Sequence, residues 1–195
     1  MKTKFSFIFL LLIIITLVNT SQAQLELKPA IGVNFTGYSK NPESGEASAQ
    51  LAWQLGGTIS TGDKWYGEGG VFWVQKSNEI TENTTDFTFK TELSGLRIPV
   101  MVGYHLLGKE TGMAGLRAFG GASVFILTSV SAEGLTKDDF TSPTYGVFLG
   151  AGIDISMFFV DLKYEWSLSD VVSISSIDVG QSRTFYINGG IRLSL

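Results

Sequence analysis

The chain has 195 residues, 14 basic and 18 acidic side chains, a net charge of −4 and no cysteine. An acidic chain lacks the cationic surplus that neutralises phosphates, which excludes nucleic acid as a partner. The absence of cysteine excludes disulfides and a lipid anchor attached through a thiol. Only 16% of residues are charged, 12% are aromatic, 23 are glycine and the mean hydropathy is +0.22, so much apolar surface has to be hidden from water.

In chain order, Lys2 and Lys4 precede a 14-residue apolar run from Phe5 to Val18, followed by small and polar residues up to Ala23. This is the plan of a secretory signal peptide, cleaved after Ala23. The run is shorter than the roughly 20 residues that a spanning helix needs. Cleavage leaves residues 24–195, a single domain of 172 residues with a net charge of −6. No later apolar run is long enough for a spanning helix, so entry into a membrane requires a closed barrel.

Period-two alternation predicts eight strands at about 28–38, 47–60, 65–77, 87–106, 114–130, 143–156, 158–170 and 183–195. The seventh, "FFVDLKYEWSLSD", separates Val160, Leu162, Tyr164, Trp166 and Leu168 from Asp161, Lys163, Glu165, Ser167 and Ser169. The sixth sets Tyr145, Val147, Leu149, Ala151, Ile153 and Ile155 against Gly146, Phe148, Gly150, Gly152, Asp154 and Ser156. Even-numbered connections read as short ("STGDKW", "LLGKETGMA" and Ser156-Met157), and odd-numbered ones as long and polar ("SKNPESGE", "SNEITENTT", "SAEGLTKDDFTS" and "VVSISSIDVGQS"). An even strand count with short turns at one end and long loops at the other predicts an all-β fold: an eight-stranded antiparallel up-and-down transmembrane barrel in the bacterial outer membrane.

Aromatic residues divide into two sets, as the interfaces of a bilayer require. Trp65, Tyr66, Tyr104, Phe158 and Phe159 fall toward the short turns, and Tyr38, Phe87, Phe140, Tyr145, Trp166 and Phe185 toward the long loops. The apolar faces are then assigned to lipid and the polar faces to the lumen. Lumen charges on this assignment are Arg97, Arg117, Asp154, Asp161, Lys163, Glu165 and Arg192. Arg117, Asp154, Asp161 and Arg192 each lie about three residues from a short turn or the C-terminus, which brings them near one height. A structural network of paired charges is the favoured reading, since a buried charge left alone is costly. A substrate or ion site is the alternative.

The pieces "LRIPVMVGYHLL", "GLRAFGGASVFIL", "YGVFLGAGIDI", "FFVDLKYEWSLSDV" and "FYINGGIRLSL", in that order, resemble the PorT-like outer-membrane β-barrel domain common in Bacteroidetes. The resemblance covers about residues 86–195. It implies an eight-stranded outer-membrane barrel in which Ile98-Pro99, Gly150 and Gly152, and Tyr164, Ser167 and Leu168 are architectural.

Neither a catalytic, a cofactor nor a metal site is expected. Acyl-ester hydrolysis by a serine needs an activating histidine, and the single histidine, His105, falls at the short-turn end, away from the outer leaflet where lipid A lies. The "GAG" and "NGG" pieces are strand interiors and do not cradle phosphate. The expectation is a non-enzymatic envelope barrel, structural or partner-binding, in contact with outer-membrane lipid and with envelope or secretion proteins through its loops or turns. A narrow pore, a lipid-modifying enzyme and a soluble lipocalin-like barrel with the faces reversed are the alternatives. Glu43, Glu46, Glu79, Glu82, Glu133, Asp138, Asp139 and Asp178 make the loop rim acidic, either simply solvated or in contact with cations or basic partners.

Overall fold

The computed structural model describes residues 25–38, 45–49, 51–82, 88–108, 114–131, 141–170 and 181–195. The expected signal peptide, the belt residues Phe87 and Phe140, and the rim residues Glu43, Glu133, Asp138, Asp139 and Asp178 lie outside the described residues.

The described chain folds into β1 (Leu25–Tyr38), β2 (Gly45–Ala49), β3 (Leu51–Gly62), β4 (Trp65–Glu82), β5 (Thr88–Leu107), β6 (Ala114–Ser131), β7 (Thr144–Ile155), β8 (Phe158–Asp170), β9 (Gln181–Ile191) and β10 (Leu193–Ser194). All pairings are antiparallel, and β9 returns to pair with β1, so the sheet closes. β2 and β3 both lie against β4 and form one stave, and β10 continues β9 against β1, which makes eight staves. Closure leaves no sheet edge, the condition under which strands can cross a bilayer.

Cα partners followed around the wall from His105 pass through Arg117, Gly152, Asp161, Asn188, Gly32, Gln54 and Val74, and return to β5 at Gly95. The ten-residue stagger between His105 and Gly95 fixes the strand inclination. At about 3.3 Å per residue and about 4.8 Å between eight strands it corresponds to a tilt of about 40°. One departure from the ladder has a covalent cause: between Gly69↔Val100 and Phe72↔Arg97 the β4–β5 register omits Ile98 and Pro99, and proline has no N–H to donate.

The exterior is apolar and the interior carries the charge. Leu149 and Val100 are 62% and 63% exposed, whereas Arg97 and Asp161 are 0% and 1% exposed. On β8 Val160, Leu162, Tyr164, Trp166 and Leu168 all face out, while Asp161, Lys163 and Glu165 are buried. The lipocalin-like arrangement, with those charges in water, is therefore not adopted.

The short-turn end carries the β3–β4 turn at residues 63–64, the β7–β8 turn at 156–157, and both ends of the described chain, where the Leu195 amide donates to the Leu25 carbonyl at 2.8 Å. Ser156 adopts φ 54°, the left-handed conformation that a two-residue hairpin turn demands. Two long connections are shorter than the sequence suggests, because Gly45-Glu46 belongs to β2 and Ser77–Glu82 to β4. Backbone pairing does not require apolar side chains, so these strands run on past the roughly 9–11 residues that cross a bilayer. Glu46, Glu79 and Glu82 thus sit on strands and not in loops.

Two aromatic assignments also change. Trp65 and Phe158 face out, and Trp65 packs on Tyr104 with ring centroids 4.7 Å apart. Their neighbours Tyr66 and Phe159 point into the lumen at 5% and 4% exposure, because successive side chains on a strand leave opposite faces. The short-turn belt is narrower than the aromatic count implies.

Candidate functional site

The lumen is a filled core, built from inward positions of all eight staves. At its short-turn end Arg117 of β6 uses every guanidinium nitrogen: Nε donates to Asp154 Oδ2 at 2.8 Å, Nη2 to Asp161 Oδ1 at 2.8 Å and Nη1 to the Tyr66 hydroxyl at 3.2 Å. Arg192 Nη1 pairs with the same Asp154 oxygen at 3.1 Å, and Lys163 Nζ lies 3.6 Å from Asp161 Oδ2. Arg117, Asp154, Asp161 and Arg192 are thereby brought into one cluster, although Arg192 is the least buried, with 22% of its side chain exposed.

Arg97 and Glu165 form a second group, toward the loops. Arg97 Nε donates to Glu165 Oε2 at 2.9 Å and Nη2 forms an ion pair with the same oxygen. Ser123 donates to that oxygen at 2.8 Å, and the Tyr186 hydroxyl lies 3.5 Å from Oε1. The guanidinium is held between the rings of Tyr186 and Phe148, with centroids 4.6 and 5.1 Å away. Planar stacking and a forked donor set are properties of arginine that lysine cannot reproduce.

Three buried charges escaped the sequence reading: Lys28, Glu68 and Lys76. Lys28 Nζ pairs with Glu68 Oε2 at 2.7 Å, Thr58 donates to Glu68 Oε1 at 2.7 Å, and Lys76 stands 4.7 Å from the centre of the Phe125 ring. Their signal was present in parity, since Leu27 and Ile31 on β1 and Trp65, Val71 and Trp73 on β4 face out. The intervening positions Lys28, Glu68 and Lys76 must then face in.

The glycines of β7 make room for these groups. A Cβ on Gly152 would lie 2.3 Å from Asp161 Oδ1 and 2.9 Å from Arg117 Nη2, and one on Gly150 would lie 2.3 Å from the Phe119 ring and 2.5 Å from the Leu162 carbonyl. Gly150→Ala is expected to destabilise the barrel by about 1–3 kcal/mol through overpacking. Urea unfolding of the refolded protein measures this; an unchanged midpoint would contradict the packing argument.

At the short-turn mouth Glu26, Lys28, Ser60, Tyr66, Glu68, His105 and Arg117 line a small concavity. His105 caps it. Its amide donates to the Lys64 carbonyl at 2.9 Å, Nδ1 lies 3.0 Å from the Asp63 carbonyl, and its ring packs 4.9 Å from that of Tyr66. Ser60 in the same concavity donates to Glu26 at 3.3 Å.

A closed barrel with a lipid-compatible exterior and charges turned inward agrees with the family comparison. The model of the "outer membrane protein beta-barrel domain" matches residues 20–173. The chain belongs to this family. It is a β-barrel of the bacterial outer membrane, and the short-turn end of such barrels faces the periplasm. No curated protein matches the sequence. Among solved structures, the outer membrane protein OprG from Pseudomonas aeruginosa is 12% identical with a TM-score of 0.57, over 89% of this chain and 97% of that one. Neisserial surface protein A (NspA) is 9% identical with a TM-score of 0.56, over 88% of this chain and 97% of that one. At these identities the likeness is one of fold.

Proposed function

We propose that the protein is a closed, non-enzymatic barrel that serves the cell envelope through its outer wall and loops, in a structural or partner-binding role. The observation that carries this reading is the filled lumen. The Arg97–Glu165 pair packed between Tyr186 and Phe148, above the Arg117 cluster, plugs the barrel across its middle, as expected of eight strands. The charge network then has a structural purpose, holding the staves in register.

A catalytic role is disfavoured by the surroundings of the single histidine. His105 sits at the periplasmic mouth, its Nδ1 engaged by a backbone carbonyl, and the Ser60 hydroxyl is directed to Glu26. The PorT-like resemblance makes envelope assembly and secretion the first pathways to examine, with residues 1–23 acting as the export signal.

Crosslinking in intact cells, followed by identification of the bound proteins, tests the partner-binding role; recovery of the barrel alone would leave the structural role. In planar bilayers the purified protein is expected to show no large, stable conductance, and such a conductance would overturn the closed-barrel reading. A change in lipid A mass between cells with and without the protein would overturn the non-enzymatic one.

A further inference from the structure

Among the described side chains the charges of the lumen balance at the periplasmic end and do not balance toward the loops. In the periplasmic half the cations Lys28, Arg117, Lys163 and Arg192 face the anions Glu26, Glu68, Asp154 and Asp161. In the loop half two basic side chains, Arg97 and Lys76, are buried with one carboxylate, Glu165, and Glu165 is ion-paired to Arg97. Glu92 does not correct this, because it lies on the outer face of β5, where Gln75 donates to it at 2.9 Å. Among the described side chains no carboxylate forms an ion pair with Lys76.

A second observation concerns the same space. Arg97 is 0% exposed, yet its Nη1 has no hydrogen-bond partner. Val74, Leu93, Phe125 and Leu127 surround this half of the lumen with apolar groups, which sharpens the cost of an uncompensated charge. An unfilled donor on one cation and an unmatched charge on its neighbour ask for the same thing, a small anion.

We infer that the loop half of the lumen binds one small monovalent anion, a halide ion or the carboxylate of a small acid, held by Arg97 Nη1 and Lys76. The two cations stand on neighbouring strands, Arg97 on β5 and Lys76 on β4, beside Phe125 of β6, Glu165 of β8 and Tyr186 of β9.

The refolded protein in non-ionic detergent is titrated with sodium chloride and, separately, with sodium formate, at constant ionic strength set by bulky sodium gluconate. Heat unfolding is read by gel mobility. Binding to the folded state alone raises the midpoint, and the rise saturates as the site fills. A rise with chloride only identifies a halide site, and a rise with formate identifies a carboxylate site. In Lys76→Met the dependence is lost and the midpoint in gluconate rises, since the unmatched charge is gone. Should that variant fail to fold, broadening of the chloride NMR line by the wild-type protein, reversed by bromide, supplies an independent reading. A midpoint indifferent to both anions, or a dependence that persists unchanged in Lys76→Met, overturns the inference; an unbroadened chloride line overturns its halide form.

Discussion

Arg117→Ala lowers the unfolding temperature of the barrel in detergent, measured by the shift between folded and unfolded gel mobility. The guanidinium it removes holds two buried carboxylates and a tyrosine hydroxyl from three other strands. Removing one partner of a buried ion pair typically costs about 3–5 kcal/mol, most of it from the charge left behind. Two features soften the loss, because Arg192 still reaches Asp154 and Lys163 still reaches Asp161. The expected effect therefore lies at the lower end of that range. Arg117→Lys separates charge from geometry. It keeps the cation but cannot span Asp154, Asp161 and Tyr66 together, and an intermediate midpoint is expected. An unchanged midpoint in Arg117→Ala would remove the network from the list of things that hold the barrel together.

The second large effect belongs to the outer face. Leu149 lies in the middle of β7, opposite Tyr164, and is 62% exposed on a surface that contacts lipid. Leu149→Arg is expected to destabilise the barrel in lipid vesicles by about 2–4 kcal/mol, the cost of an arginine near the bilayer midplane. The same substitution at Leu107, 68% exposed at the periplasmic end, is expected to cost about 0–1 kcal/mol. Equal costs at the two positions, measured by urea unfolding, would mean that depth in the bilayer does not govern this surface. Exposure alone cannot produce the difference, since the two leucines are similarly exposed in the isolated chain.

The fold was legible because alternation is local. Asp161, Lys163 and Glu165 stand opposite Leu162 and Tyr164 whatever the strand packs against, and the low charge and brief turns indicated which side meets lipid. Composition misleads where parity applies. Tyr66 and Phe159 read as belt residues because they are aromatic, yet each follows a residue, Trp65 or Phe158, that already occupies the outer face. Ser77–Glu82 reads as a loop because it is polar, although strand pairing continues through it.

Within the lumen, the sequence by itself determined which side chains turn inward, because the pleat sends alternate Cβ atoms to opposite faces without reference to any partner. It placed Arg97, Arg117, Asp154, Asp161, Lys163 and Glu165 on the inner face, and the same rule reaches Lys28, Glu68 and Lys76. Who meets whom was decided only by the tertiary structure. Arg117 and Asp161 are 44 residues apart, Arg97 and Glu165 68, and Lys28 and Glu68 40. Their heights depend on the ten-residue stagger that accumulates around the wall before β9 closes on β1. No single strand carries that stagger; it arises when eight tilted staves form a ring. The pairing of charges at the periplasmic end, and the lack of a paired carboxylate beside Lys76 among the described side chains, follow from that closure.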